Sequence, residues 1–104
     1  MRLQNKTAVV TGGSKGMGRA EALLFAKEGA AVIVCDIDEE EGEIVANEIL
    51  ESGGNAKFIF CDVTSESDWE NLVRYVTREF GSLDVLVNNA GLSSASTREQ
   101  LSSE

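Results

Sequence analysis

The sequence predicts an α/β fold, half of a doubly wound parallel sheet with the element order β-α-β-α-β-α-β and the strand order 3-2-1-4. Four short apolar runs alternate along the chain with three segments of helical periodicity. Most of the runs are continuously apolar, which is typical of strands covered on both faces. Because parallel strands need crossover connections, and these are almost always right-handed, the alternation favours this arrangement.

The four predicted strands follow the apolar runs at residues 7–11, 31–35, 57–61 and 83–87. The first helix is predicted from about Met17 to Glu28, and Gly29 follows it as a residue suited to the left-handed turn after a helix. The last strand has no predicted partner at its second edge within this chain. We therefore expect the purified chain to associate rather than remain a stable monomer.

The second helix is predicted to start at Asp38, with Glu41 three residues later to complete a capping box. The third is predicted to start near Ser65 and to stop before Gly81. Their apolar positions, spaced to form one face towards a sheet, are Ile44, Val45, Ile49 and Leu50 in the second helix and Trp69, Leu72, Val73, Val76 and Phe80 in the third.

Composition excludes several kinds of partner and site. A net charge of −9 argues against nucleic acid and against anionic membrane surfaces. The first six residues precede no long apolar stretch, so neither a signal peptide nor a membrane span is predicted. With no histidine and two cysteines, the chain predicts no metal site and no disulfide framework. Cys35 and Cys61 each end an apolar run and are interpreted as small buried hydrophobes of a reducing compartment, by default the cytoplasm.

The candidate ligand site begins with a glycine-rich loop between the first strand and the first helix, residues 11–18. Gly12 permits a tight turn after the strand, while Gly16 and Gly18 leave room for a pyrophosphate at the helix start. Unpaired N–H groups and the helix dipole favour an anion there. A flexible turn without a ligand is the alternative, and the position between a strand and a helix weakens it.

Asp36 lies at the carboxyl end of the second strand, 18 residues after Gly18. A carboxylate there can accept hydrogen bonds from both ribose hydroxyls of an adenosine, and it would repel a 2′-phosphate. Asp36 therefore predicts NAD in preference to NADP. Lys15 leaves an alternative open, because a lysine in the loop could meet either a 2′-phosphate or the pyrophosphate. Asp36 could instead be a loop aspartate near a helix start.

Two further segments follow strand ends. Asp62 can hydrogen-bond an adenine amino group with Val63 against the ring, or it can be a helix-entry aspartate without a ligand. The segment from Asn88 to Gly91 combines amides with small residues. These let the backbone pass close to a ligand and tie neighbouring strand ends together, unless the segment is a turn without function.

In these motifs the chain resembles the short-chain dehydrogenases/reductases, which have a Rossmann-like fold. The loop at Thr11–Gly18 matches their T-G-x-x-x-G-x-G pattern, Asn88–Gly91 their N-N-A-G motif, and Asp62 and Val63 their D-V pair. Asp36 matches the acidic residue of NAD-preferring members. The resemblance implies cofactor contacts at Gly12, Ser14, Lys15, Gly16, Met17, Gly18, Asp36, Ile37, Asp62, Val63, Asn89, Ala90 and Gly91.

The resemblance also implies an oxidoreductase that transfers hydride between nicotinamide and an alcohol or carbonyl substrate, and a homo-oligomer. Family members are longer and use a catalytic serine and a Y-x-x-x-K pair beyond this region. The single tyrosine here, Tyr75, precedes Glu79 and lies in the third predicted helix, so no catalytic residue is assigned. Residues 1–91 are interpreted as a partial dinucleotide-binding domain, and residues 92–104 as a loop towards a next helix.

Two other classes of protein remain as alternatives. One is a non-catalytic dinucleotide-binding module or an assembly fragment, which would bind cofactor without turnover. The other is a methyltransferase that uses S-adenosylmethionine, whose sheet also carries glycines after the first strand. The three residues between Gly12 and Gly16 disfavour the methyltransferase, since its loops tend towards G-x-G-x-G.

Overall fold

A computed structural model describes residues 3–89 of the chain. The elements follow the predicted order: β1 Thr7–Thr11, α1 Gly16–Lys27, β2 Ala31–Asp36, α2 Glu39–Glu51, β3 Asn55–Phe60, α3 Glu66–Phe80 and β4 Val85–Asn88. Ala90, Gly91 and the predicted loop of residues 92–104 lie outside the described residues.

The four strands form one parallel sheet in the order β3-β2-β1-β4, which confirms the predicted topology. Thr11 at the end of β1 is in register with Cys35 of β2 and with Asn88 of β4. The carboxyl ends of the three strands therefore meet at one edge. In open parallel sheets this is the edge at which ligands bind.

Helices lie on both faces of the sheet, and the two central strands, β1 and β2, are buried as their continuous apolar runs predict, whereas β3 and β4 at the edges are partly exposed. On one face, α1 and α2 pack on β1 and β2 through a cluster of fully buried residues: Ala8, Val10, Ala22, Val32, Val34, Val45 and Ile49. On the other face, α3 packs through a second buried cluster: Val9, Ile33, Cys35, Cys61, Leu72 and Val76. The buried core thus lies beneath the carboxyl edge of the sheet.

The predicted start of β4 at residue 83 is wrong by two residues. Asp84 lies before the strand, and its carboxylate accepts a 2.9 Å hydrogen bond from the backbone N–H of Thr7. The Asp84 N–H in turn donates to the Thr7 carbonyl at 3.0 Å. The Thr7 N–H, followed by the Ser82 hydroxyl, holds the pKa of the Asp84 carboxyl below its ordinary value. The Asp84 carboxylate therefore takes the place of a backbone carbonyl as the acceptor for the Thr7 N–H, at the start of the pairing between β1 and β4.

The second helix buries a narrower face than its sequence predicts. Val45 and Ile49 are buried, but Ile44 and Leu50 are each 48% exposed. Gly42 takes the remaining inward position, where a Cβ atom would lie 2.1 Å from the ring of Phe58. The absence of a side chain at Gly42 lets the Phe58 ring pack under the first turn of α2.

Both cysteines are free and buried, which confirms their interpretation as small core residues. Burial raises the pKa of the Cys35 thiol, and it raises the pKa of the Cys61 thiol to about 11. Both thiols are therefore protonated at neutral pH. Within residues 3–89, each helix is too short or too polar to cross a lipid bilayer.

The last strand leaves part of one face open. Leu86 is in register with Val9, so it lies on the face that α3 covers elsewhere, and its side chain is 39% exposed. Among the described residues, β4 pairs with β1 alone and forms an edge of the sheet. The predicted unpaired edge is thus present in the described part of the chain.

Candidate functional site

The glycine-rich loop connects β1 to α1 by a tight turn, with Gly12 in the left-handed region at φ 62°. Lys15 occupies the N-cap of α1 and makes no side-chain capping bond, and the first turn of the helix holds no acidic residue. The first N–H groups of α1 and its positive dipole end are therefore left to attract an anion.

Gly16 and Gly18 have different roles in this loop. A Cβ atom on Gly16 would meet nothing within 4 Å, so open space lies beside the helix start. A Cβ atom on Gly18 would lie 2.0 Å from the Gly12 carbonyl oxygen and 3.0 Å from the Cα atom of Gly13. Gly18 is thus required by the loop itself, which folds directly onto the first turn of α1. The sequence pattern predicts only a ligand-related role for Gly18.

Both carboxylate oxygens of Asp36 accept hydrogen bonds. Its Oδ2 atom accepts a 2.6 Å bond from the hydroxyl of Ser14 and a 3.3 Å bond from the Ser14 N–H. Its Oδ1 atom accepts a 3.1 Å bond from the N–H of Asp38. Ser14 is almost fully buried, with 2% of its surface exposed. The glycine-rich loop and the end of β2 are therefore joined through this carboxylate.

A second contact joins the same two loops. The Lys15 ammonium lies 3.2 Å from Oδ2 of Asp38, while Oδ1 of Asp38 accepts a 3.1 Å bond from the N–H of Glu41 and caps α2. The Glu41 N–H, followed by Lys15, lowers the pKa of the Asp38 carboxyl. The predicted capping box is therefore only half formed, because the Asp38 N–H donates to Asp36 instead of to the Glu41 side chain.

Two large apolar side chains stand exposed at this edge of the sheet. Met17 lies in the first turn of α1 and is 67% exposed, and Ile37 follows β2 and is 65% exposed. Both are candidate contact residues in the sequence. Their exposure leaves apolar surface beside the loop and beside Asp36.

Asp62 forms a local turn at the entry to α3. Its Oδ1 atom accepts bonds from the N–H and the hydroxyl of Thr64, at 2.9 and 2.6 Å. The Thr64 hydroxyl, followed by the N–H, lowers the pKa of the Asp62 carboxyl. Val63 packs against the cluster under α3. These contacts are the ones expected of the helix-entry alternative. A link to the rest of the site exists through the backbone, since the Cys61 N–H donates to the Asp36 carbonyl at 3.2 Å.

Two amides at the end of β4 tie three elements together. The Thr11 hydroxyl donates to Oδ1 of Asn88 at 2.7 Å, and the Asn89 N–H donates to the Thr11 carbonyl at 3.2 Å. The Nδ2 atom of Asn89 also donates to Oε1 of Glu21 on α1, at 2.7 Å. The predicted connection between strand ends is present. Glu21 was missed by sequence reasoning, because nothing local to α1 indicates that it faces β4.

The single tyrosine of the chain contacts side chains of α3 and of the core beneath it. Tyr75 is on α3, with its ring centroid 6.4 Å from that of Phe80 and the Arg78 guanidinium 5.8 Å above it. It also packs against the buried cluster under α3. These contacts give Tyr75 a packing role.

The sequence profile of the family described as short chain dehydrogenase matches residues 6–104. The chain is 44% identical over 91 residues to a 2,5-dichloro-2,5-cyclohexadiene-1,4-diol dehydrogenase of Sphingobium indicum and to a cyclopentanol dehydrogenase of Comamonas testosteroni. Each match covers 88% of this chain and 36% of the relative, so the chain spans about a third of these proteins.

Two solved structures share the fold. A hydroxysteroid dehydrogenase from Escherichia coli superposes with a TM-score of 0.81 at 39% identity, covering 84% of this chain and 37% of that one. A metagenomic short-chain oxidoreductase in complex with NADP gives a TM-score of 0.80 at 34% identity, covering 83% and 39%. Given the profile match over residues 6–104 together with the fold, the chain belongs to the short-chain dehydrogenase family.

Proposed function

We propose that this chain is the cofactor-binding portion of an NAD-dependent dehydrogenase that transfers hydride between nicotinamide and an alcohol or carbonyl substrate. The observation that carries the proposal is the Asp36 carboxylate at the carboxyl edge of the sheet, fixed 2.6 Å from the Ser14 hydroxyl of the glycine-rich loop. Family membership and the alcohol-dehydrogenase names of the relatives support the reaction class.

The residues at the edge fit a dinucleotide. The uncapped start of α1 and the open space beside Gly16 suit a pyrophosphate. Asp36 would accept the adenosine ribose hydroxyls, and Ser14 holds that carboxylate in place. In the proposed site the loop contacts come from Gly12, Ser14, Lys15, Gly16, Met17 and Gly18, the adenosine contacts from Asp36, Ile37, Asp62 and Val63, and the nicotinamide-side contacts from Asn89, Ala90 and Gly91.

The charge of Asp36 favours NAD over NADP. A carboxylate about 4 Å from a unit negative charge costs about 4 kcal/mol at the effective dielectric of a protein surface. A 2′-phosphate placed on the ribose that Asp36 binds would carry such charge. The NADP in one structural relative therefore does not by itself set the nucleotide of this chain. The preference for NAD in this proposal rests on Asp36.

The nicotinamide supplies the hydride when it is bound. The residues of this chain would bind and orient it, and we propose that acid–base groups and substrate contacts come from the further length of protein that the relatives possess. We further propose a cytoplasmic homo-oligomer. The buried free cysteines support the compartment, and the exposed Leu86 at the edge of the sheet supports association.

Titration of the protein with NADH and NADPH, followed by nicotinamide fluorescence, tests the proposal. We expect tighter binding of NADH, and we expect Asp36→Ala to weaken NADH binding about ten- to a hundredfold. Glu70→Ala, which removes an exposed carboxylate from α3, serves as the matched control. Failure to bind either nucleotide at millimolar concentration, or tighter binding of NADPH, would overturn it. Because the acid–base groups are proposed to lie in the further length of protein, turnover is tested on a protein that includes that length. Nucleotide binding there without hydride transfer to any alcohol or carbonyl would favour the non-catalytic module.

A further inference from the structure

The two cations beside the first turn of α1 are both paired with carboxylates of α2 or its cap. Lys15 lies 3.2 Å from Asp38, although 70% of the Lys15 side chain is exposed. Arg19, one turn further along α1, forms a two-pronged ion pair with Glu48. The positive side chains that flank the glycine-rich loop are therefore each neutralised by a carboxylate of this chain.

We propose that Asp38 is a specificity-determining residue, which holds the Lys15 ammonium as its internal counter-ion and so keeps it from attracting a 2′-phosphate. The inference rests on the proposed function and adds to it a residue that does not touch the nucleotide. It also resolves the conflict in the sequence between Asp36, which favours NAD, and Lys15, which could favour NADP.

The carboxylate of Asp38 is held in position independently of Lys15. Its Oδ1 atom caps α2 through the N–H of Glu41, and its backbone N–H is bonded to Asp36. Only the Oδ2 atom faces Lys15. Because Asp38 is already fixed by two other contacts, only the Lys15 side chain loses conformational entropy when the pair forms. The pair is therefore more favourable than a surface ion pair between two mobile side chains.

The pair and the nucleotide site share the same two loops. Ser14 and Lys15 are neighbours in the glycine-rich loop, and Asp36 and Asp38 are separated by one residue after β2. Ser14 binds Asp36 while Lys15 binds Asp38, so two parallel contacts join the loops. A 2′-phosphate on a ribose bound by Asp36 would enter this region. It would then compete with Asp38 for the Lys15 ammonium while facing two carboxylates.

The test uses Asp38→Asn, because asparagine caps a helix about as well as aspartate but carries no charge. The measured quantity is the ratio of the NADPH dissociation constant to the NADH dissociation constant. We expect Asp38→Asn to lower this ratio about five- to tenfold, through tighter NADPH binding, and we expect the change to shrink at high salt. Circular dichroism and urea unfolding check that the cap of α2 survives.

Lys15→Gln supplies the control that separates release of Lys15 from simple loss of a negative charge. In a Lys15→Gln background, Asp38→Asn should change the ratio by less than half of its effect in the wild-type chain. The inference is overturned if Asp38→Asn leaves the ratio unchanged, or if it changes the ratio equally in both backgrounds. In either case, the proposed function still stands if NADH binding depends on Asp36. If the protein binds neither nucleotide, the proposed function and this inference both fail.

Discussion

The Ser14 hydroxyl donates a 2.6 Å hydrogen bond to Oδ2 of Asp36, so a buried loop side chain fixes a carboxylate 22 residues away. Asp36 stands at the end of β2 and Ser14 follows β1, and the two strands are neighbours in the sheet. The position of the proposed ribose acceptor is therefore set by the glycine-rich loop as well as by the strand that carries it.

Replacement of Ser14 by alanine should loosen Asp36 without removing it. We expect Ser14→Ala to weaken NADH binding about three- to tenfold and to lower the free energy of unfolding by about 1 kcal/mol. Fluorescence titration and urea unfolding measure the two effects. Ser67→Ala, on the exposed first turn of α3, is the matched control. Unchanged NADH affinity in Ser14→Ala would show that the bond has no part in binding.

Replacement of Gly18 by alanine should disrupt the loop. The new Cβ atom would lie 2.0 Å from the Gly12 carbonyl oxygen, which belongs to the backbone and cannot swing aside. We expect Gly18→Ala to cost about 3 kcal/mol of stability, measured by urea unfolding. At Gly16 a Cβ atom would enter open space, and only the left-handed φ of 53° disfavours alanine. We therefore expect Gly16→Ala to lower the free energy of unfolding by about 1 kcal/mol. Equal costs at the two positions would contradict the close approach.

The contact between Gly42 and Phe58 offers a test by compensation. Alanine at Gly42 would place a Cβ atom 2.1 Å from the Phe58 ring, so we expect Gly42→Ala to destabilise the fold by about 1–3 kcal/mol in spite of its better helix propensity. Phe58→Leu should cost less in the Gly42→Ala background than in the wild-type chain. Thermal unfolding of the four proteins measures the coupling, and simple additivity would rule the clash out.

The bond from Asn89 to Glu21 should matter for cofactor affinity more than for folding. We expect Glu21→Ala to weaken NADH binding about threefold, because Asn89 loses the 2.7 Å partner that holds its side chain. Glu21→Gln keeps an acceptor oxygen and should retain most of the affinity. Titration with NADH compares the variants. If alanine and glutamine behave alike, the charge of Glu21 matters and the hydrogen bond does not.

Stability should fall in acid through Asp84. Hydrogen bonds from Thr7 and Ser82 lower the pKa of its carboxyl from the ordinary 3.8. A group with a lowered folded-state pKa stabilises the fold above the unfolded-state value, and that contribution is lost as the pH falls through the folded-state value. The urea midpoint of the wild type should therefore approach that of Asp84→Asn as the pH is lowered from 7 to 3. A difference that stays constant with pH would contradict this.

Local sequence signals account for the order of elements and for most of their ends. Gly29 and Gly81 follow helices with left-handed φ angles, and Asp38 and Ser65 cap helices as the sequence predicts. Each of these signals acts within about four residues of chain, so a pattern can reveal it.

The choice of partner for each polar side chain at the site could not be predicted in the same way. Asp84 bonds to Thr7, and Asn89 bonds to Glu21, across 77 and 68 residues of chain. Such contacts depend on the register of β1 with β4 and on the rotation of α1, which no local pattern specifies. The half-formed capping box has the same cause, because Asp36 competes for the Asp38 N–H only once β2 has been placed.

The position of β1 between β2 and β4 has a consequence for how the chain is made. Of the four described strands, β1 is synthesised first and β4 last, and the hydrogen bonds between Thr11 and the β4 end join residues 76 to 78 apart. At synthesis rates of about 5–20 residues per second, β1 therefore spends several seconds with one edge unpaired. A nascent chain that ends before residue 88 therefore exposes this edge of β1, and synthesis of β4 supplies the strand that covers it.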